Sequence, residues 1–149
     1  MKTMLLFIAT LGVAAATYVA RSSAASNTWT TEHYVTKETW HAFADVGKKD
    51  NGGPGDIYTA RQKLTTPDGH EVGTVNGYGV NLHPPYVFFH WTATLPGGTL
   101  TLEAAVNLRA KSTVYPIEGG TGRYVGTRGT VTLTEAGSKG TLATVRYQR

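Results

Sequence analysis

From Tyr34 onward the chain alternates apolar and polar positions in short runs broken by Gly, Pro and Asp. The clearest run is "YVFFHWTATL", Tyr86 to Leu95. Val87, Phe89, Trp91, Ala93 and Leu95 fall on one face, and Tyr86, Phe88, His90, Thr92 and Thr94 on the other. A period of two is the signature of a strand, and no stretch sustains a 3.6-residue apolar period for three turns. The pattern predicts strands at 34–46, 56–65, 70–81, 86–95, 99–109, 112–117, 127–134 and 140–148, after a polar lead-in over 26–33. Asp68-Gly69 and Gly97-Gly98 mark tight turns between them. Eight short strands with close connections suit an all-β antiparallel barrel or a sandwich, and closure disposes of exposed edges most directly. Aromatic side chains on both faces of 86–95 predict a wall packed on its interior and covered outside by a partner subunit or a terminal segment.

The stretch "YPIEGGTGRYVGTRGTVTLT" tests whether glycine clustering means phosphate binding. A phosphate loop needs Lys-Ser/Thr at the start of a helix, and a dinucleotide fingerprint needs a helix whose first amides meet the pyrophosphate. Here Tyr124 and Val125 follow Arg123, and the chain continues as a strand. Gly119, Gly120 and Gly122 are therefore read as a corner where backbones approach closely.

The N-terminus changes the picture of the other 124 residues. Lys2, an apolar run from Met4 to Ala20, Arg21 and the small residues Ser22 to Ser26 have the order of a secretory signal peptide. The expected division is a leader over 1–25, cleaved after Ala25, and one domain over 26–149; the competing reading is an uncleaved anchor. Without Lys2 and Arg21, the mature part carries 12 basic against 10 acidic residues and no Lys/Arg block, which argues against a nucleic-acid partner. The expected location is secreted or extracytoplasmic. Cysteine is absent, which excludes disulfides and thiolate chemistry. His33, His41, His70, His83 and His90 lie too far apart in sequence for a structural metal motif, and no serine sits in a nucleophile elbow.

"PIEGGTGRYVGTRG" resembles the signature shared by dirigent proteins and the allene oxide cyclase superfamily, whose bacterial members are often small secreted proteins. "FADVG", "GDIYTARQKL", "DGHEVGTVNGYGV" and "LPGGTLTLEA" occur in that superfamily's order, so the resemblance runs from about Glu38 to Leu133. It implies an eight-stranded antiparallel barrel with a cavity, often oligomeric. It further implies that a reactive hydrophobic molecule is cyclised or sterically steered. The cyclases hold their epoxide with acidic and amide side chains and a cysteine, whose position is Gly79 here. Dirigent proteins use an aspartate near the end of the first strand and an arginine in the glycine corner, positions held here by Asp45 and Arg128.

Each candidate has a functional and a structural reading. Asp45 either serves a ligand oxygen or accepts backbone amides at a turn. Arg128 either holds an anionic intermediate or pairs across the barrel end. Glu38, read on one face with Trp40, Ala42 and Ala44, and Glu103, beside Thr101 and Ala105, are acids or bases if their faces line the lumen. Tyr78 shares a face with Asn76 and could orient a carbonyl; His90 is a cavity base or a wall residue. The expected catalytic set is Glu38, Arg128, Asp45 and Tyr78, with Trp40, Asn76, His90 and Glu103 contacting ligand. No cofactor is expected, and the expected partner is a small hydrophobic molecule. Three functions stay open: a cofactor-independent isomerase or cyclase, a small-ligand carrier, and a structural surface protein with a filled barrel.

Overall fold

The structure is a computed structural model that describes residues 28–46, 52–137 and 140–149. The expected leader and its cleavage site lie outside these residues. Eight strands close into one antiparallel barrel in chain order: β1 (Thr30–Ala44), β2 (Ile57–Thr65), β3 (Glu71–His83), β4 (Tyr86–Leu95), β5 (Gly98–Asn107), β6 (Ser112–Gly120), β7 (Arg128–Glu135) and β8 (Thr141–Gln148). A three-residue 3-10 turn, Gly122–Tyr124, links β6 to β7. Closure comes from β1 pairing with β8, Thr30 opposite Tyr147 through Thr36 opposite Thr141. No helix among the described residues is long and apolar enough to cross a membrane.

The predicted polar lead-in is corrected here. Thr30 to His33 belong to β1, because their backbone groups complete the ladder to β8. Polarity misled because this end of the strand faces a polar network rather than the apolar core. The glycine corner is also shorter than predicted: β6 runs on to Gly120, with Gly120 paired to Leu100. Gly120 is closely packed against the backbone oxygens of Thr99 and Tyr124, and Gly122 takes φ 58° with the Gly97 carbonyl beside it. A side chain at either place has no room. Gly119, by contrast, faces open space and makes no close crossing.

The alternation predicted for β4 holds. Val87, Trp91, Ala93 and Leu95 are buried, and across the barrel Leu100, Leu102, Val106, Val131, Ala143 and Val145 complete an apolar interior. Each of the valine and leucine side chains contributes about 1.5–3 kcal/mol by leaving water. On the other face, Tyr86 is about half exposed and Phe88, His90 and Thr92 are partly buried.

β1 breaks the simple rule. Glu38 pairs with Gln62, but the next residue opposite β2 is Trp40, facing Arg61, so Thr39 is the extra residue of a β-bulge. Paired residues share a face. Glu38 thus points inward with Gln62, Trp40 outward with Arg61, and His41 inward with the buried Ala60. The expectation that Glu38 and Trp40 share a face is overturned by this single added residue.

Candidate functional site

At the barrel end where β1 finishes and β2 begins, β1 continues from Lys37 to Ala44 beyond its last partner on β8. Among the described residues, the overhang leaves this end of the barrel as an open mouth. On its inner side His41 Nδ1 lies 2.6 Å from Glu38 Oε1, while the Tyr58 hydroxyl donates to Glu38 Oε2. The His41 and Tyr58 rings stack at 5.9 Å and 29°. Burial, and then the neighbouring Glu38 carboxylate, push the Tyr58 phenol well above its usual value, so it stays a protonated donor.

Beneath this trio is an aromatic ledge. Tyr58 meets Phe89 edge-on at 6.5 Å, and Phe89 stacks on Trp91 at 5.3 Å and 18°. The "VNGYGV" stretch makes room for it: Gly77 and Gly79 face inward, and the Trp91 and Phe89 rings lie against them where side chains would otherwise project. Trp91 Nε1 is buried next to the Tyr115 hydroxyl. Phe89 also floors a cavity of about 180 Å3 at the same mouth, walled by Val106, Leu108, Tyr115 and Leu133, with Lys111 at its rim. Deeper in, the lumen retains a space of only about 50 Å3, lined almost wholly by apolar side chains. That is far below the roughly 300–1,000 Å3 of a drug-sized site.

The opposite end is shut by a polar plug. Glu32 accepts from the Tyr34 hydroxyl at 2.7 Å, the Tyr147 hydroxyl at 3.1 Å and Arg123 Nη2 at 3.3 Å. Arg123 also donates to the Tyr124 hydroxyl and lies over that ring, 4.7 Å from its centroid.

The predicted site residues separate into several places. Glu38 alone of them reaches the mouth trio. Tyr78, His90 and Glu103 do form a cluster, with His90 Nδ1 2.6 Å from Glu103 Oε1 and the Tyr78 ring stacked on His90 at 5.3 Å. These three, with Asn76, face outward, because they alternate with the inward Val75, Trp91 and Leu102. Arg128 is exposed at the start of β7, at the plugged end, and does not share a space with Glu38. Asp45 lies just past β1 beside the carboxyl of Asp56. Asp56 is buried and accepts turn amides, from Val46 N at 2.8 Å and Gly52 N at 2.9 Å. Those amides, Val46 first, hold its carboxyl below the usual range.

His41 and Tyr58 are the mouth residues that sequence reasoning missed. The signal was present but ambiguous: a regular strand puts His41 on the face opposite Glu38, and the bulge reverses that. Among the described residues, no group of three or more His, Asp or Glu side chains is placed to hold a metal ion.

Residues 36–145 match the allene oxide cyclase barrel-like domain. No curated protein matches the chain in sequence. Among solved structures, a pyocyanin demethylase superposes with a TM-score of 0.71 at 23% identity, over 80% of this chain and 100% of the other. The Diels-Alderase AbmU from Streptomyces koyangensis gives 0.64 at 20% identity, over 81% and 64%. The pterocarpan synthase dirigent protein GePTS1 gives 0.61 at 22%, over 80% and 82%. At these identities the likeness is one of fold, and it is the same fold that the register and closure of this barrel establish. The chain belongs to the allene oxide cyclase barrel-like family.

Proposed function

We propose that the protein is a proton-transferring isomerase or cyclase that acts, without a cofactor, on a small hydrophobic molecule held at the open mouth of the barrel. The observation that carries this reading is the Glu38–His41–Tyr58 trio set over the Phe89–Trp91 ledge. With its Nδ1–H donated to Glu38, neutral His41 keeps a lone pair on Nε2, the arrangement of an oriented general base. Tyr58 fills the second oxygen of Glu38, so the carboxylate steadies His41 rather than competing for the substrate proton. His41 removes a proton from one atom of the ligand and returns it to another, so no net oxidation or reduction is required. The ledge supplies a flat apolar surface on which one face of the molecule lies. Holding the molecule in one conformation lowers the entropic part of a ring-closing or tautomerising barrier. Relatives of the same fold named as demethylase, Diels-Alderase and pterocarpan synthase support a small organic substrate. Action outside the cytoplasm, after removal of the leader, belongs to the same proposal.

The filled lumen favours a second reading, a structural barrel with no chemistry. A panel of one- and two-ring aromatic ketones in deuterated buffer, followed by NMR, separates the two. The enzyme accelerates exchange of an acidic C–H; His41→Gln reduces the rate about 100-fold or more and Glu38→Gln less, in line with general-base catalysis. Equal exchange by the wild type and His41→Gln removes the enzyme reading.

A further inference from the structure

The outer face of β1, β2 and β3 carries an open groove of about 740 Å3 beside Trp40, Arg61, Lys63, Thr74 and Asn76. Trp40 is 56% exposed, although it is the largest side chain on that face. Trp40 pairs across the sheet with Arg61, and Arg61 with Asn76, so an indole face, a guanidinium and an amide stand in one row. In the next row Lys37 is directly opposite Lys63. Like charges directly opposite across strands are destabilising. Glu71 neutralises Lys63 at 2.6 Å, but no ion pair among the described residues engages Lys37 or Arg61. Among the described residues, the face thus keeps two cations outside any ion pair around one exposed aromatic plane.

The geometry points to a second ligand site here, outside the barrel, for an acidic oligosaccharide of the uronate type. A pyranose ring offers a face of weakly positive C–H groups to the electron-rich face of Trp40. Its carboxylate meets the fork of Arg61, whose parallel donors suit that group, and Lys37 takes the next one as a point charge. Asn76 and Thr74 are neutral partners for the hydroxyls. Nucleic acid fits less well, because tight binding to phosphates needs many cations in register and the described residues of this face offer two outside an ion pair. Tyr78 continues the face two residues beyond Asn76, roughly 12 Å from Trp40 by strand spacing and rise, a span that a short chain of sugars covers. This site uses neither His41 nor Tyr58, so it is independent of the proton-transfer reading.

Isothermal titration calorimetry on the purified protein, at low salt, tests it with three probes: tetragalacturonate, the neutral cellotetraose, and a 12-nucleotide oligo-dT. Tetragalacturonate is expected to bind at least about tenfold more tightly than either of the others. Trp40→Ala and Arg61→Gln each weaken it by about tenfold or more, Trp40→Phe much less, and Lys37→Gln flattens the salt dependence. His41→Gln leaves it unchanged. These positions are exposed, and an unchanged far-UV spectrum confirms that each variant is folded. No binding of tetragalacturonate, equal binding of oligo-dT or cellotetraose, indifference to Trp40→Ala, or loss on His41→Gln would overturn the proposal.

Discussion

Gly79 occupies the place where cyclases of the superfamily carry a cysteine, and the Phe89 ring fills the space into which that side chain would project. Gly79→Cys therefore overpacks the ledge and costs about 1–3 kcal/mol. In a Phe89→Ala background the same substitution is expected to become neutral or stabilising, a coupling that urea denaturation of the four proteins reads directly. Indifference of the two sites to each other would show that the ledge is loosely packed. Asp56 is the other residue on which a local structure depends. Its folded carboxyl is held below its ordinary value of 3.8, so its contribution is present above that pH and is lost as pH falls through the lower folded value. Asp56→Asn is expected to lower the melting temperature at pH 7, with the gap to the wild type closing in acid below about pH 3.8. A gap that persists unchanged at pH 2 would refute the assignment.

At the level of elements, β1 does most to separate expectation from outcome. Its apolar and polar alternation is legible from Tyr34, but its first four residues read as a loop, and its last five, Trp40 to Ala44, read in the wrong phase relative to Glu38. The first error arises because Thr30 to His33 are held by the ladder to β8, a partner 111 to 117 residues away in the chain. The second arises because the bulge at Thr39 has no composition signal; it is defined only by what stands opposite on β2. The plugged end depends on the same misread segment. Glu32→Gln removes the charge that Tyr34, Tyr147 and Arg123 converge on, and is expected to cost about 1–3 kcal/mol by chemical denaturation. Glu32→Asp, too short to reach all three, is expected to recover only part of that loss.

For the whole molecule, closure matters most. Eight strands closed into a barrel leave a packed interior with about 50 Å3 free, so the proposed ligand is expected at the mouth and not inside the lumen. Val131→Ile, which adds one methylene to the wall of that inner space, is expected to raise stability by up to about 1 kcal/mol. It leaves binding at the mouth unaltered, as a ketone titration followed by tryptophan fluorescence would show. Loss of binding in this variant would place the ligand inside the lumen instead.

The fold was legible from sequence because β alternation is a local property: one face of each strand must be apolar to build the core, and turn residues must punctuate it. Strand number, order of magnitude of their lengths and the division of β4 and β5 into two alternating faces all followed from that rule. The candidate site was legible in Glu38 alone. Tyr78, Asn76, His90 and Glu103 carry the right chemistry for a site, but alternation does not say which face is the lumen. That became known only when Leu100, Leu102 and Val106 were seen buried beside them. Arg128 is separated from the mouth trio by barrel geometry, which no spacing along the chain encodes, and Asp45 lies just past the end of β1 beside Asp56. His41 and Tyr58 joined Glu38 through one extra residue in β1 and a cross-strand register, and both exist only once two distant segments have paired.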